Sequence, residues 1–224
     1  ERDNQGGAVE TLLPTTKHRR GRRTARQERA LADPGAALIP LEDLAGHPVV
    51  TGSAPLVVDI GFGSSDAVVR LAAAHPQTIV LAVDTHTPGI GDLLATIAEQ
   101  QLPNIYVMDA DIRLALAGIP AGRLTGARTF FPDPWPKKRH HRRRLIGPSF
   151  AQSLADRVRP GGFWHIATDW AEYADAIEET LAPSRAWQGG RIPRPDWRPQ
   201  TRYERRGLAA GRSPIDLWFE RVSE

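Results

Sequence analysis

Residues 56–66, LVVDIGFGSSD, decide the fold of this chain. The first five form an apolar run broken only by Asp59, which is typical of a strand buried in a parallel sheet. Gly61 and Gly63 follow as a turn, and residues 66–75 then carry apolar side chains at helical spacing. A strand, a glycine turn and a helix in this order predict the opening unit of an α/β domain.

The alternation of strand-like and helix-like segments continues along most of the chain. It predicts strands and helices in turn over 78–83, 90–101, 105–108, 112–117, 127–131, 148–158, 163–167 and 171–181. Residues 159–162 are predicted as a turn and 183–199 as a loop. No crossover helix fits between the β-like stretches 201–204 and 216–222. The sequence therefore predicts a mostly parallel sheet that ends in an antiparallel strand pair.

The composition excludes several classes of protein. With 224 residues, 41% hydrophobic and 25% charged, the chain can bury a core. The absence of cysteine excludes a disulfide framework, cysteine-ligated zinc and thiol catalysis. We expect no bound metal. No apolar run approaches the roughly 20 residues of a membrane span, and no signal peptide is evident, so we expect a cytoplasmic protein without a membrane association.

The net charge of +3 conceals two basic clusters. Seven of the thirteen residues from Lys17 to Arg29 are basic, a pattern equally typical of a solvated tail. Residues 137–144, KKRHHRRR, carry six Lys or Arg and no acid, directly after a predicted strand. Such like charges repel one another unless a polyanion offsets them, and a phosphate backbone is the usual polyanion.

Carboxylates follow three successive predicted strands. Asp59, Asp84 and Asp111 stand at or near the carboxyl ends of the first, second and third. Ligands of parallel α/β sheets bind at these ends, where Asp84 can accept ribose hydroxyls and Asp111 an adenine amino group. Each alone is more typical of an exposed loop residue or a helix cap. Together they predict an adenosine site.

The glycine turn narrows the choice of ligand. Gly61 and Gly63 allow close approach of backbone to a ligand, but a dinucleotide fingerprint requires a third glycine where this chain has Asp66. An acid at that helix N-terminus repels a pyrophosphate. The sequence therefore favours a neutral or cationic adenosine ligand, such as S-adenosylmethionine, over a nicotinamide dinucleotide.

Two Asp-Trp pairs follow the later strands. Pro132 and Pro134 hold Asp133 in an extended backbone beside Trp135, and Asp169-Trp170 follows the fifth predicted strand. A carboxylate beside an aromatic ring can hydrogen-bond and stack on a flipped purine. The alternative is a proline-rich turn with a core tryptophan.

These motifs closely resemble the bacterial tRNA (guanine-N7-)-methyltransferase family. The matching motifs span roughly residues 56–222 and are Asp59-Ile60-Gly61-Phe62-Gly63, Thr87-Pro88-Gly89, Phe130-Phe131-Pro132-Asp133-Pro134-Trp135 with its basic run, Thr168-Asp169-Trp170 and Thr201-Arg202-Tyr203-Glu204. The resemblance implies a Rossmann-like, seven-stranded methyltransferase fold over 48–224, after a basic, partly flexible arm over 1–47. It implies methylation of N7 of guanine 46 in the tRNA variable loop, with S-adenosyl-L-methionine as cofactor and S-adenosyl-L-homocysteine as product.

The resemblance also implies roles for individual residues. Cofactor contacts would come from Asp59, Gly61, Gly63, Asp84, Asp111 and Asp133, and Asp133 would be catalytic. Substrate contacts would come from Lys137, Asp169, Thr201, Arg202, Tyr203 and Glu204, and RNA contacts from Arg139, Arg142, Arg143 and Arg144. Asp59 and Asp84 stand where the family usually has Glu, so each carboxylate reaches one methylene less.

Two alternatives remain open at this stage. One is a methyltransferase that acts on another RNA base, although such sites typically carry an Asn/Asp-Pro-Pro-aromatic turn after the fourth strand. The other is a non-catalytic RNA-binding protein on the same fold, which the acids at the strand ends disfavour. We expect tRNA as the partner, no obligatory protein partner, and a monomer or homodimer.

Overall fold

The computed structural model describes residues 21–223, apart from the side chain of Arg202. Within these residues it contains seven strands: β1 (Leu56–Ile60), β2 (Ile79–Asp84), β3 (Ile105–Asp109), β4 (Leu124–Phe130), β5 (Val158–Thr168), β6 (Trp187–Ile192) and β7 (Ile215–Arg221). The same residues contain eight α-helices: α1 (Ala25–Ala32), α2 (Pro48–Thr51), α3 (Asp66–Ala74), α4 (Thr87–Gln100), α5 (Ile112–Ala117), α6 (Pro148–Arg157), α7 (Ala171–Leu181) and α8 (Arg202–Ala209). Lys17, Arg19 and Arg20 of the first basic cluster lie outside the described residues.

The strands form one sheet in the order β3-β2-β1-β4-β5-β7-β6. The pairs from β3 to β5 are parallel, whereas β7 is antiparallel to both β5 and β6. This confirms the predicted fold class. Strand order reverses between β1 and β4, and such a reversal opens a crevice at the carboxyl ends of the strands.

Helices cover both faces of the parallel part of the sheet. On one face, α5, α6 and α7 pack on β1, β4 and β5 around fully buried Trp164 and Tyr173. On the other face, α3 and α4 pack on β2 and β3 around Val80, Ile90 and Val107. The apolar sides of the predicted helices therefore face the sheet, and the carboxyl ends of the strands are left open.

The C-terminal strand pair is antiparallel as predicted, but the prediction of its first strand was wrong. Residues 202–204 form the start of α8, and Thr201 is its N-cap. The Thr201 hydroxyl accepts the Glu204 backbone N–H at 3.1 Å. Thr-x-x-Glu is a helix N-terminal signature, and that signal outweighs the β-like composition. The partner of β7 is instead β6, within the predicted loop, where Gly189 and Gly190 weaken the sequence signal for a strand.

Two further boundaries differ from the sequence prediction. Residues 159–162 lie within β5, where the pairing with β4 shifts register, and Gly161 has a φ of 73°. Part of the predicted N-terminal arm belongs to the core, because Ile39 and Leu44 are buried with the α5–α7 layer. Arg26 of α1 also donates hydrogen bonds to Glu99 of α4 at 2.7 and 2.8 Å.

No helix among residues 21–223 combines the length and the apolar character that a membrane crossing requires.

Candidate active site

A cleft of about 550 Å³ opens at the carboxyl ends of the strands, between the tips of β1 and β4. Its walls are the glycine turn after β1, the tips of β2 and β3, the Phe130–Trp135 segment after β4, and residues from α8. This volume lies within the range of ligand pockets in proteins. Residues from five separate segments of the chain therefore meet in one cavity.

The glycine turn is held open by backbone geometry. Gly61 and Gly63 have φ values of 66° and 54°, which glycine adopts without a steric cost. Asp84, at the tip of β2, accepts the Gly63 backbone N–H at 2.8 Å and those of Thr85 and His86 at 2.7 and 2.9 Å. These bonds fix the turn, and one carboxylate oxygen keeps a free acceptor site for a ligand hydroxyl.

Gly89, in the first turn of α4, packs closely against the glycine turn. A Cβ atom at this position would lie 2.4 Å from the Gly63 carbonyl oxygen and 3.0 Å from Nδ1 of His86. Only glycine therefore allows α4 to approach the turn so closely. This explains the glycine of the Thr87-Pro88-Gly89 motif in physical terms.

Asp59 lies at the floor of the cleft, directly opposite Arg128 on β4. Asp59 Oδ2 and Arg128 Nη2 are 3.1 Å apart, yet Oδ2 forms no hydrogen bond among the described residues. Burial raises the pKa of Asp59 above its usual range, and the Arg128 charge opposes that shift only in part. A cationic group bound in the cleft would favour the ionised carboxylate.

Asp111, at the tip of β3, caps the N-terminus of α5. Its carboxylate accepts the backbone N–H of Arg113 at 3.0 Å and pairs with the Arg113 guanidinium. Burial raises the pKa of Asp111, but these bonds to Arg113 outweigh it and the pKa is lowered overall. Asp111 is therefore a fixed anionic acceptor on the wall of the cleft.

Asp133 lies on a strained turn at the mouth of the cleft. Phe131 and Trp135, on either side of Pro132-Asp133-Pro134, have φ values of 54° and 44°. Left-handed backbone in non-glycine residues costs on the order of 1–3 kcal/mol each and is concentrated at functional sites. Asp133 is exposed and lines the cleft.

The predicted substrate residues divide into two groups. Asp169, Thr201 and Tyr203 line the cleft, and Tyr203 Cε2 lies 3.1 Å from where a Cβ of Gly63 would be. Asp169 also accepts a hydrogen bond from Arg212 at 2.7 Å. Lys137 and Glu204 do not line the cleft, and Arg202 begins α8.

Within the basic segment 137–144, Lys138–Arg143 form a short 3-10 helix beside the Asp133 turn. Five of its six Lys and Arg residues are exposed, and Arg143 lies over the Trp135 ring at 5.0 Å. Arg139, Arg142 and Arg143 are among the exposed five, whereas only 6% of the Arg144 side chain is exposed. The exposed residues form a cationic rim at the mouth of the cleft.

Comparison with known proteins identifies the family. Residues 53–217 match the model of the family described as "Putative methyltransferase". A tRNA (guanine-N(7)-)-methyltransferase of Streptomyces coelicolor is 41% identical over 98% of this chain and 85% of its own length. The enzyme of the same name from Halorhodospira halophila is 42% identical over 92% of this chain and 93% of its own.

The chain belongs to the tRNA (guanine-N7-)-methyltransferase family. A solved 16S rRNA (adenine(1408)-N(1))-methyltransferase from Catenulisporales acidiphilia shares the fold of this methyltransferase, with a TM-score of 0.56 and 18% identity over 83% of this chain and 94% of the other. The cofactor of this methyltransferase is S-adenosylmethionine.

A buried ionic network below the cleft of this methyltransferase was missed by the sequence analysis. Arg198 is fully buried and forms two hydrogen bonds to Glu204, at 2.8 and 3.0 Å, and one to Asp216 at 3.0 Å. Asp216 in turn lies 2.7 Å from Nε2 of His165. The network fixes α8 on β5 and β7. The carboxylates of Glu204 and Asp216 therefore pair with groups inside the protein.

One signal in the sequence does point to a buried charge in the sheet, although it points to Arg128 and not to Arg198. Arg128 interrupts the apolar fourth strand, and a charged residue buried in a strand requires partners. Its partners come from β1 and from α3, where the Ala67 carbonyl accepts from Arg128 at 3.1 Å.

Proposed function

We propose that this protein transfers the methyl group of S-adenosylmethionine to N7 of guanine 46 in the variable loop of tRNA. The observation that carries the proposal is the meeting, at one end of the sheet, of an adenosine-type cleft, the strained Asp133 turn and an exposed cationic rim. The relatives that bear the name of this activity support the choice of base and RNA class.

The residues present fit S-adenosylmethionine. Among residues 21–223, no atom lies within 4 Å of where a Cβ of Gly61 would be, so the turn leaves open space beside the cleft. Asp59 Oδ2 is a buried acceptor that has no hydrogen-bond partner in the same part of the chain. We assign Asp59, Gly61, Gly63, Asp84 and Asp111 to holding the cofactor. When bound, it supplies an electrophilic methyl group.

The reaction at guanine N7 requires alignment more than proton transfer. N7 carries a lone pair and no proton, so no general base is needed on the attacking atom. The protein has to hold N7 in line with the methyl group, which is an orientation problem. The guanine gains positive charge as the bond forms, and we assign Asp133 and Asp169 to stabilising that charge and accepting from the N1–H and N2–H groups.

We assign the exposed residues of the cationic rim, including Lys137, Arg139, Arg142 and Arg143, to the phosphates of the tRNA. Arginine and lysine side chains at the cleft mouth position RNA without reading its sequence. Tyr203 and Trp135 lie close enough to the cleft to stack on the target base.

Transfer of a labelled methyl group to an unmodified tRNA transcript tests this assignment. We expect incorporation that depends on guanine at position 46, and a matched transcript with adenine at that position should accept no label. Equal labelling of both transcripts would contradict the proposed position. Stabilisation of the protein by S-adenosylhomocysteine distinguishes it from a non-catalytic RNA-binding protein, which would show none.

A further inference from the structure

The Asp133 turn needs support from outside itself. Pro132 and Pro134 carry no backbone N–H, so these residues cannot donate hydrogen bonds that stabilise the turn. Its start is fixed by the Phe131 N–H, which donates to the Ala167 carbonyl at 2.7 Å. Its end includes Trp135 at a φ of 44°. Strained backbone persists only where its surroundings hold it.

Arg144 provides that support at the far end of the turn. Its Nε donates to the carbonyl of Pro134 at 2.8 Å, one peptide beyond Asp133. Its two Nη atoms donate to the two carboxylate oxygens of Glu172 on α7, at 3.1 and 2.5 Å. The guanidinium lies 4.6 Å from the centre of the Tyr173 ring.

These contacts distinguish Arg144 from the other residues of the basic segment. All three of its nitrogens donate to groups of the protein, and its side chain is 6% exposed. Arg142 and Arg143 are exposed. A guanidinium bound on three sides presents little surface to a phosphate.

We propose that Arg144 is a positioning residue, which links the Pro134 carbonyl to α7 and so fixes the Asp133 carboxylate at the mouth of the cleft. This rests on the proposed function, because it assumes that Asp133 faces the reacting guanine. Arg144 thus acts through the turn and not through the RNA. Since a shift of about 1 Å in a reacting group can cost on the order of 100-fold in rate, loss of this link should lower kcat.

The variant Arg144→Lys keeps the charge but cannot reach Pro134 and both oxygens of Glu172 together. We expect kcat to fall about 10-fold or more, with tRNA affinity and its salt dependence unchanged. The matched control is Arg191→Lys, since Arg191 also pairs with two acids of α7 but lies on β6, outside the cleft. It should retain the wild-type kcat.

Three further variants complete the test. Arg142→Ala should flatten the salt slope of tRNA binding by about one unit, which Arg144→Lys should not do. Glu172→Gln should lower kcat in the same direction, and the double variant with Arg144→Lys should lose less than the two single losses combined. Additive losses, a wild-type kcat for Arg144→Lys or a flattened slope for it would overturn the proposal.

If the proposed function is wrong, the same experiments give a different set of results. Wild-type protein would then form no 7-methylguanosine, and the salt slopes would decide the role of Arg144 alone. An unchanged slope for Arg144→Lys beside a flattened slope for Arg142→Ala supports an internal role, and two equally flattened slopes overturn it.

Discussion

Substitution of Gly89 by alanine tests how α4 supports the cofactor turn. The new Cβ would lie 2.4 Å from the Gly63 carbonyl oxygen, whereas ordinary contacts begin near 3.4 Å, so the two backbones have to separate by about 1 Å. The side of α4 that faces the core cannot yield, because Ile90 and Leu93 are fully buried. The turn should therefore move toward the cleft.

The expected cost of this overpacking is about 1–3 kcal/mol. If most of it falls on the turn, the dissociation constant for S-adenosylhomocysteine should rise about 10- to 100-fold. Isothermal titration calorimetry measures that constant directly. Gly46→Ala is the matched control, because a Cβ at that position would meet no atom within 4 Å. It should bind as the wild type does.

Wild-type affinity in the Gly89→Ala variant would show that close packing of α4 does not hold the cofactor turn in place. A lowered free energy of unfolding without a loss of affinity would show the same, because the strain would then lie elsewhere than in the turn.

Three further predictions concern Asp133 in the cleft and the buried side chains of His165 and Tyr173. Asp133→Asn should lower kcat by about 100-fold or more while tRNA affinity stays within about twofold, and equal losses in both would contradict the catalytic role. Burial keeps the pKa of His165 below its ordinary value despite the hydrogen bond to Asp216, because Arg198 already balances the charge of Asp216. The unfolded chain therefore binds a proton at His165 more readily than the folded protein, and the free energy of unfolding should fall as pH drops below about 6.5. Chemical denaturation at pH 7.5 and 5.0 should show that the free energy of unfolding depends less on pH in His165→Gln than in the wild type. An equal dependence on pH in the two proteins would contradict this. Burial raises the pKa of Tyr173 to about 12. The contribution of the neutral Tyr173 to the free energy of unfolding should therefore be fully present below pH 10 and lost as pH rises through 12. A Tyr173→Phe variant should not show that loss.

The sequence predicts the architecture of the site better than the contacts within it. Strand ends can be read from apolar runs, and ligands bind there, so Asp59, Asp84 and Asp111 could be placed at one edge of the sheet without coordinates. The pairing of Asp59 with Arg128 could not, because strand neighbours in a parallel sheet are set by tertiary packing.

The internal roles of some charged residues also depend on tertiary structure. Arg144 resembles its basic neighbours in sequence, and Glu172, which pairs with it, lies 28 residues further along the chain. Glu204 is buried because it pairs with Arg198, which is itself bound by Asp216, 18 residues further along the chain. The helix at 202–209 was predictable, since Thr201 and Glu204 carry the spacing of an N-terminal cap.

Mass spectrometry of nucleosides shows whether this protein methylates guanine at N7. Unmodified tRNA is incubated with the protein and S-adenosylmethionine, digested to nucleosides and separated. The structure and the family predict one new product, 7-methylguanosine, which the Asp133→Asn variant should form far more slowly. A guanosine methylated on its exocyclic amine, or no methylated nucleoside at all, would contradict the account.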